Sequence, residues 1–490
     1  MFKHLKTTVA AFALTTGAAF AANDTLTLGM VLEPPNLDPT AGAAAAIDEV
    51  VYANIFEGLT RFGADGAVNP ALAKTWDVSE DGKTYTFHLQ HGVTFHDGTT
   101  MDAEDVKFSL DRARAEDSAN AQKALFKGIE AVDVVDAHTV KVTLSEPNGN
   151  FPFNMAWGDA VIVAPESIET AATHPVGTGP FVFKDWIKGD RVDITRNDAY
   201  WGENAALAGA TFKFIGDPNA AFAAMMAGDV QAFPNYPAPE TLAQFEANPR
   251  FAVIQGSTEG ETILSTNNKS GALADVRVRK AIAHAINRQE IIDGAMNGAG
   301  TPIGTHFAPH HPDYVDFTGH SNFDPELSKT LLKEAGQENL TLRLALPPAP
   351  YARRGGEVIA AQLRNVGIQT EITNVEWAQW IETVFKGKDF DLTIVSHTEP
   401  NDINIYANPD YYFQYDNKAF QDLIAKRAVT SDPAMRSELN KEAQKIIADD
   451  YVNGYLFQLA KTGVADARIQ GLWANAPTQA NDLTGVSWSN

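Results

Sequence analysis

The chain has 490 residues, no cysteine, 38 basic against 62 acidic side chains and a formal net charge of −24. Without cysteine there is no disulfide, thiolate metal site, cysteine nucleophile or acylated cysteine tether. The acidic excess repels nucleic acid and anionic lipid, and 44% apolar with 20% charged residues is a globular composition.

Residues 1–21 carry Lys3 and Lys6, then an apolar run over residues 8–20 that ends in Ala19-Phe20-Ala21. This is the layout of a cleaved secretory signal peptide, too short in its apolar part to span a bilayer. A chain exported without a membrane anchor is expected in a Gram-negative periplasm. The remaining stretch of about 470 residues exceeds the ~250–300 at which one core usually splits, so at least two lobes are expected.

Leu26, Leu28 and Met30 alternate as a half-buried strand that runs into the proline-rich loop 33–39. Tyr85, Phe87 and Leu89 alternate next, as do Val140, Val142 and Leu144, with a helix starting near Asp102 between them. These read as an antiparallel accessory region. Residues 211–215, 218–227 and 230–233 form a strand–helix–strand unit of the first lobe. Residues 262–266 read as a strand, and Asp275 caps a helix carrying Val278, Ile282 and Ile286. A crossover near residues 267–271 is expected to be one hinge, and the strand around residues 455–459 the other.

Further on, Leu340, Leu342, Leu344 and Leu346 alternate, a helix covers residues 353–365, and Ile368, Thr370 and Ile372 alternate again. A helix over 376–385 and a strand over 390–395 complete a β-α-β-α-β run, the signature of an open, mainly parallel sheet. Ligands of such sheets bind outside the carboxyl ends of the strands, here loops 347–354, 374–377 and 396–406. In the first loop Arg353 and Arg354 open a helix, where guanidinium groups and free backbone N–H groups suit a carboxylate. Trp377 stands in the second, and Trp380 follows it in the helix. The third holds His397, Glu399, Asp402 and Tyr406.

His306, His310, His311 and His320 crowd a Pro/Gly-rich stretch with no helical or strand frame to fix their spacing, so no metal is expected there. No cofactor is expected either. Gly177-Thr178-Gly179 lacks the lysine of a phosphate loop, and no nucleophile elbow or zinc-protease motif is present, so the chain does not read as an enzyme.

Several blocks in order carry a family resemblance: Asn54-Ile55-Phe56-Glu57-Gly58-Leu59-Thr60, Pro70-Ala71-Leu72-Ala73, Asp81-Gly82-Lys83-Thr84-Tyr85, Val93-Thr94-Phe95-His96-Asp97-Gly98, Val176-Gly177-Thr178-Gly179-Pro180-Phe181, Asn197-Asp198-Ala199-Tyr200-Trp201-Gly202 and Arg277-Val278-Arg279-Lys280-Ala281. Across essentially the whole mature chain the sequence resembles family 5 of the bacterial extracellular solute-binding proteins, the dipeptide, oligopeptide and nickel binders of ATP-driven importers. The resemblance implies an α/β, two-lobed periplasmic-binding-protein fold (type II, cluster C). An accessory subdomain of about residues 51–170 would sit in lobe I (22–270), lobe II would cover 271–458, and 459–490 would return to lobe I.

It also implies the substrate-binding component of an ABC transporter, a monomer that closes on a small organic solute, a di- or oligopeptide, and hands it to membrane permease subunits. Family members line their cleft near Glu33, and in the peptide binders an aspartate of the third loop meets the ligand's amino group. That loop normally carries a tryptophan followed by aspartates and a proline. Here it reads Ser396-His397-Thr398-Glu399-Pro400-Asn401-Asp402, with His397 in the tryptophan's place and no Asp-Pro pair. The departure leaves an oligosaccharide, an opine- or betaine-like cation or a metal chelate open as the solute, and an exported hydrolase as the rival of another class.

Overall fold

The computed structural model describes residues 24–399 and 402–489. The expected signal peptide lies outside them. Two long strands, Phe251–Thr266 and Asn453–Asp466, run antiparallel through the middle of one mixed sheet. On one side follow Leu392–His397, Thr341–Leu346 and Gln369–Asn374. On the other follow Ala232–Phe233, Thr25–Met30, Gly209–Phe214, Arg191–Arg196 and Phe181–Ile187. The long pair does not keep one register. Residues 251–257 pair with 466–460, the register slips between Ser257 and Glu261, and pairing resumes from Glu261 opposite Gln458.

Each side of that slip has its own cores. In lobe II, successive residues of the long strand part company. Leu264 joins Ile282, Leu344, Ile359 and Ile394 under the helices Val276–Ala285 and Pro350–Arg364, while Ile263 joins Val395, Trp380, Tyr406 and Tyr412 on the opposite face. This is the period-two alternation of a strand buried on both faces. In lobe I, Leu26, Leu28 and Met30 pack with Val192, Ile194 and Phe212. The crossover expected near 267–271 packs on the same core as Leu264. Asn267 is buried within lobe II, its amide donating to the carbonyls of Lys388 and Phe390, and Leu273 belongs to the lobe II core.

The expected β-α-β-α-β run forms with parallel neighbours, Leu344 opposite both Ile372 and Leu392. The helix expected over 376–385 is instead one α-turn, Trp377–Trp380, followed by a wider π-turn, Ile381–Lys386. The accessory region is a separate four-stranded antiparallel sheet in which Phe87 faces Val140 and Tyr85 faces Val142. Its helix, Ala103–Arg114, starts with a capping box. Asp102 accepts from the Glu104 N–H, and Asp105 accepts from the Asp102 N–H.

Three of the sequence blocks meet at one buried carboxylate, and a fourth joins beside it. Glu57 accepts hydrogen bonds from Thr178 Oγ1 (2.8 Å), Tyr200 Oη (2.7 Å) and Trp201 Nε1 (2.9 Å). His96 Nε2 lies 2.9 Å from the Gly179 carbonyl, in the same joint. Gly177 is required there because a Cβ would lie 2.0 Å from the Ile55 carbonyl oxygen.

Candidate functional site

The pairing registers fix where the two lobes face each other. Thr25–Met30 runs in the same direction as Phe251–Thr266, so its carboxyl end points at lobe II. Leu392–His397 runs the opposite way and ends at Glu261, so the carboxyl ends of the parallel lobe II strands point back at lobe I. Both sets converge on the slip at 257–261, where a ligand of such sheets belongs. The lobe I end carries a small pocket of about 80 Å³ lined by Met30, Val31, Leu32, Glu49, Asn235 and Asn481.

At the lobe II end the slip turns Glu261 into the protein, 2% exposed and in register with His397. Glu261 Oε1 lies 3.6 Å from His306 Nε2, and Oε2 has no hydrogen-bond partner among the described residues. Burial drives this carboxyl well above the usual carboxylate range, with the charges of Asp402 and Glu259 adding to it. His306 is wholly buried. Its Nε2 is hydrogen-bonded to Asp402 Oδ1, and its Nδ1 lies 3.3 Å from the Tyr406 hydroxyl.

Asp402 opens the turn Ile403–Ala407 and keeps part of its side chain exposed. Its Oδ2 is 3.8 Å from His397 Nδ1. Burial works to raise its pKa, yet the charge and hydrogen bond of His306, then the charge of His397, carry it below the ordinary carboxylate value. His397 ends its strand buried, stacked on Tyr412 and 3.2 Å from its hydroxyl. Burial pulls this imidazole below its usual pKa, the charge of Asp402 opposing. Tyr406 is wholly buried and accepts from Asn453 Nδ2 at 3.1 Å.

His397, Asp402 and Tyr406 thus come together around His306 and Glu261. Glu399 stands at the edge, exposed, its carboxylate accepting from the Thr398 N–H at 3.2 Å, and its donor atoms lie within 4.8 Å of those of His397 and Asp402. Arg353 pairs with Glu376 at 2.9 Å, and Arg354 is exposed near the start of the helix Pro350–Arg364. Trp377 is 41% exposed and packs edge-on against Trp380. Glu33 lies apart from these groups. Its Oε1 accepts from Trp186 Nε1 and the Gly189 N–H, both at 3.0 Å, which ties the loop after the first strand to a neighbouring hairpin.

Sequence reasoning missed Glu261 and passed over His306. The available signal was Glu259-Gly260-Glu261 ahead of an apolar strand, two acids and a glycine where a ladder would slip. Of the other histidines, His310 bonds Glu259 (2.7 Å) and Ser257 (2.6 Å) on the slip itself. His320 pairs with Asp449 near the surface.

The sequence model of the family described as "Bacterial extracellular solute-binding proteins, family 5 Middle" matches residues 67–422. The chain is 30% identical to the dipeptide-binding protein of Escherichia coli K12 over 430 residues, 78% of this chain and 79% of that one. It is 29% identical to the glutathione-binding protein GsiB of Escherichia coli O157:H7, with 89% of each chain covered. The solved structure of HbpA2 from Haemophilus parasuis superposes with a TM-score of 0.88 at 25% identity, covering 95% of this chain and all of that one. With a sequence model matched over residues 67–422 and a relative 30% identical over most of both chains, the chain belongs to family 5 of the bacterial extracellular solute-binding proteins.

Proposed function

We propose that the protein is the periplasmic receptor of an ATP-driven importer and captures a di- or oligopeptide by closing its lobes at the 257–261 slip. The observation that carries this reading is Asp402. It is a carboxylate held in its charged form at the carboxyl end of the lobe II sheet, partly open to the cleft and beside the exposed Glu399. Such a carboxylate pair suits a peptide's ammonium group, and a desolvated pairing of that kind orients a ligand strongly. Arg353 and Arg354, near the start of a fifteen-residue helix, suit its carboxylate. Trp377 supplies an exposed ring between these loops.

The dipeptide- and glutathione-binding relatives support a peptide-like solute. The final hand-over is to the permease subunits of the transporter. The family consists of binding proteins, and we propose no catalysis. Calorimetry with a panel of di- and tripeptides tests the reading, with Asp402→Asn and Glu399→Gln as controls. At least one peptide binds, and each substitution weakens it by more than about threefold, roughly 0.6 kcal/mol. Affinity unchanged in both variants, or no peptide bound while a non-peptide solute is found by mass spectrometry of the purified protein, overturns it.

A further inference from the structure

Around Glu261 the structure holds more donor atoms than a peptide ammonium requires. Glu261, His306 and Asp402 present atoms within 4.8 Å of one another. One imidazole and two carboxylates are a donor set for a divalent ion of borderline softness, with a position left for solvent. Nitrogen and oxygen donors at about 2.0–2.2 Å from a tetrahedral centre stand roughly 3.4 Å apart. Glu261 and His306 lie 3.6 Å apart.

Two independent features point the same way. The first is the buried and unpartnered Glu261 Oε2, a polar atom carried into the protein and left without a hydrogen bond among the described residues. That is costly unless something else engages it. The second is the far side of the imidazole. His306 Nδ1 faces the Tyr406 hydroxyl at 3.3 Å. Metal-bound histidines are oriented in this way, with the outer nitrogen held by a second residue. Asn453 in turn holds Tyr406.

We propose that Glu261, His306 and Asp402 form a site for one divalent transition-metal ion of the Zn2+ type. The ion ties the hinge strand, through Glu261, to the cleft loop that carries Asp402. His306 and Asp402, now hydrogen-bonded to each other, separate slightly to admit it. The two carboxylates balance its charge. The site stands apart from the solute reading in every residue but Asp402, which the two share.

The untagged full chain, stripped with a chelator and returned to chelator-free buffer at neutral pH, is titrated with Zn2+ by calorimetry. Bound metal is counted after gel filtration. One ion per chain is expected, and Glu261→Gln, of the same size, and His306→Gln each weaken it by at least about tenfold. No stoichiometric binding, or binding unchanged in both variants, overturns the site. Should either variant misfold by circular dichroism, Co2+ added to the unmodified chain decides. Intense visible bands of a low-coordinate nitrogen and oxygen site are expected, and the weak spectrum of hydrated Co2+ overturns it. Solute binding is measured in parallel with excess chelator. A chain that binds its solute there but takes no Zn2+ refutes the metal alone, whereas one that takes Zn2+ and binds no peptide refutes the peptide reading alone.

Discussion

Replacing Glu57 by alanine removes one acceptor group from three donors that come from two separate segments of lobe I. Hydrogen bonds to a charged acceptor contribute about 1.5–3 kcal/mol each. The hydroxyls of Thr178 and Tyr200 can rotate toward other partners, so about 1 kcal/mol is assigned to each of them. The fixed Trp201 Nε1–H cannot turn, and about 2 kcal/mol is assigned to it. The expected loss is therefore about 4 kcal/mol, a large share of a total stability of roughly 5–15 kcal/mol. Glu57→Gln keeps the shape and one acceptor, and Tyr200 can turn to accept from the new amide, so its cost is about 1 kcal/mol. Urea unfolding followed by tryptophan fluorescence compares the two, with Trp201 reporting from the spot. If the alanine and glutamine variants lie within about 1 kcal/mol of each other, Glu57 is not what joins these segments.

Other outcomes follow from the same structure. Burial raises the Asp159 pKa to about 6, so the folded chain binds its proton more tightly than the unfolded chain, whose aspartates titrate near 3.9. The sign is that of a raised acid: its contribution is complete below the unfolded pKa and lost as pH rises through 6. Asp159→Asn should therefore stabilise the protein at pH 7, by up to roughly 3 kcal/mol, and have little effect near pH 4. Melting curves across that range test it, and an advantage that does not vary with pH contradicts it. Gly177→Ala should lower the melting temperature sharply, because the neighbour 2.0 Å from the new Cβ is backbone, whereas Gly98→Ala meets nothing within 4 Å and strains only its positive φ. Equal losses at the two sites would show that the close approach at Ile55 is not limiting.

What could be read from the sequence follows the range of the interactions. The β-α-β-α-β run of lobe II was visible because Leu342, Leu344 and Leu346 alternate locally and the Pro350–Arg364 helix carries its apolar face at helical spacing. The π-turn at Ile381–Lys386 was hidden, since its residues are ordinary helix formers and only packing sets the wider turn. The register slip was missed for a similar reason. Phe251–Thr266 continues through its slip, and the register that reveals it lies on a strand some two hundred residues away.

In the site, His397, Asp402 and Tyr406 sit in one loop at a strand's carboxyl end, where a rule about sheets finds them. Glu261 and His306 reach them only through long-range pairing, so the histidine looked unframed. Arg353 was recognised as a first-turn charge, but its pairing with Glu376 depends on how two loops lie side by side. Glu33 was placed correctly at a strand end, and Trp186, 153 residues away, takes up its carboxylate.

The central claim is capture by closure of two lobes about the 257–261 slip. Small-angle X-ray scattering of the protein, freed of solute by partial unfolding and refolding, tests it most directly when repeated after adding back the solute identified by mass spectrometry. A smaller radius of gyration on binding, absent in Asp402→Asn at the same solute concentration, is the predicted result. Saturation with solute and no compaction would contradict it.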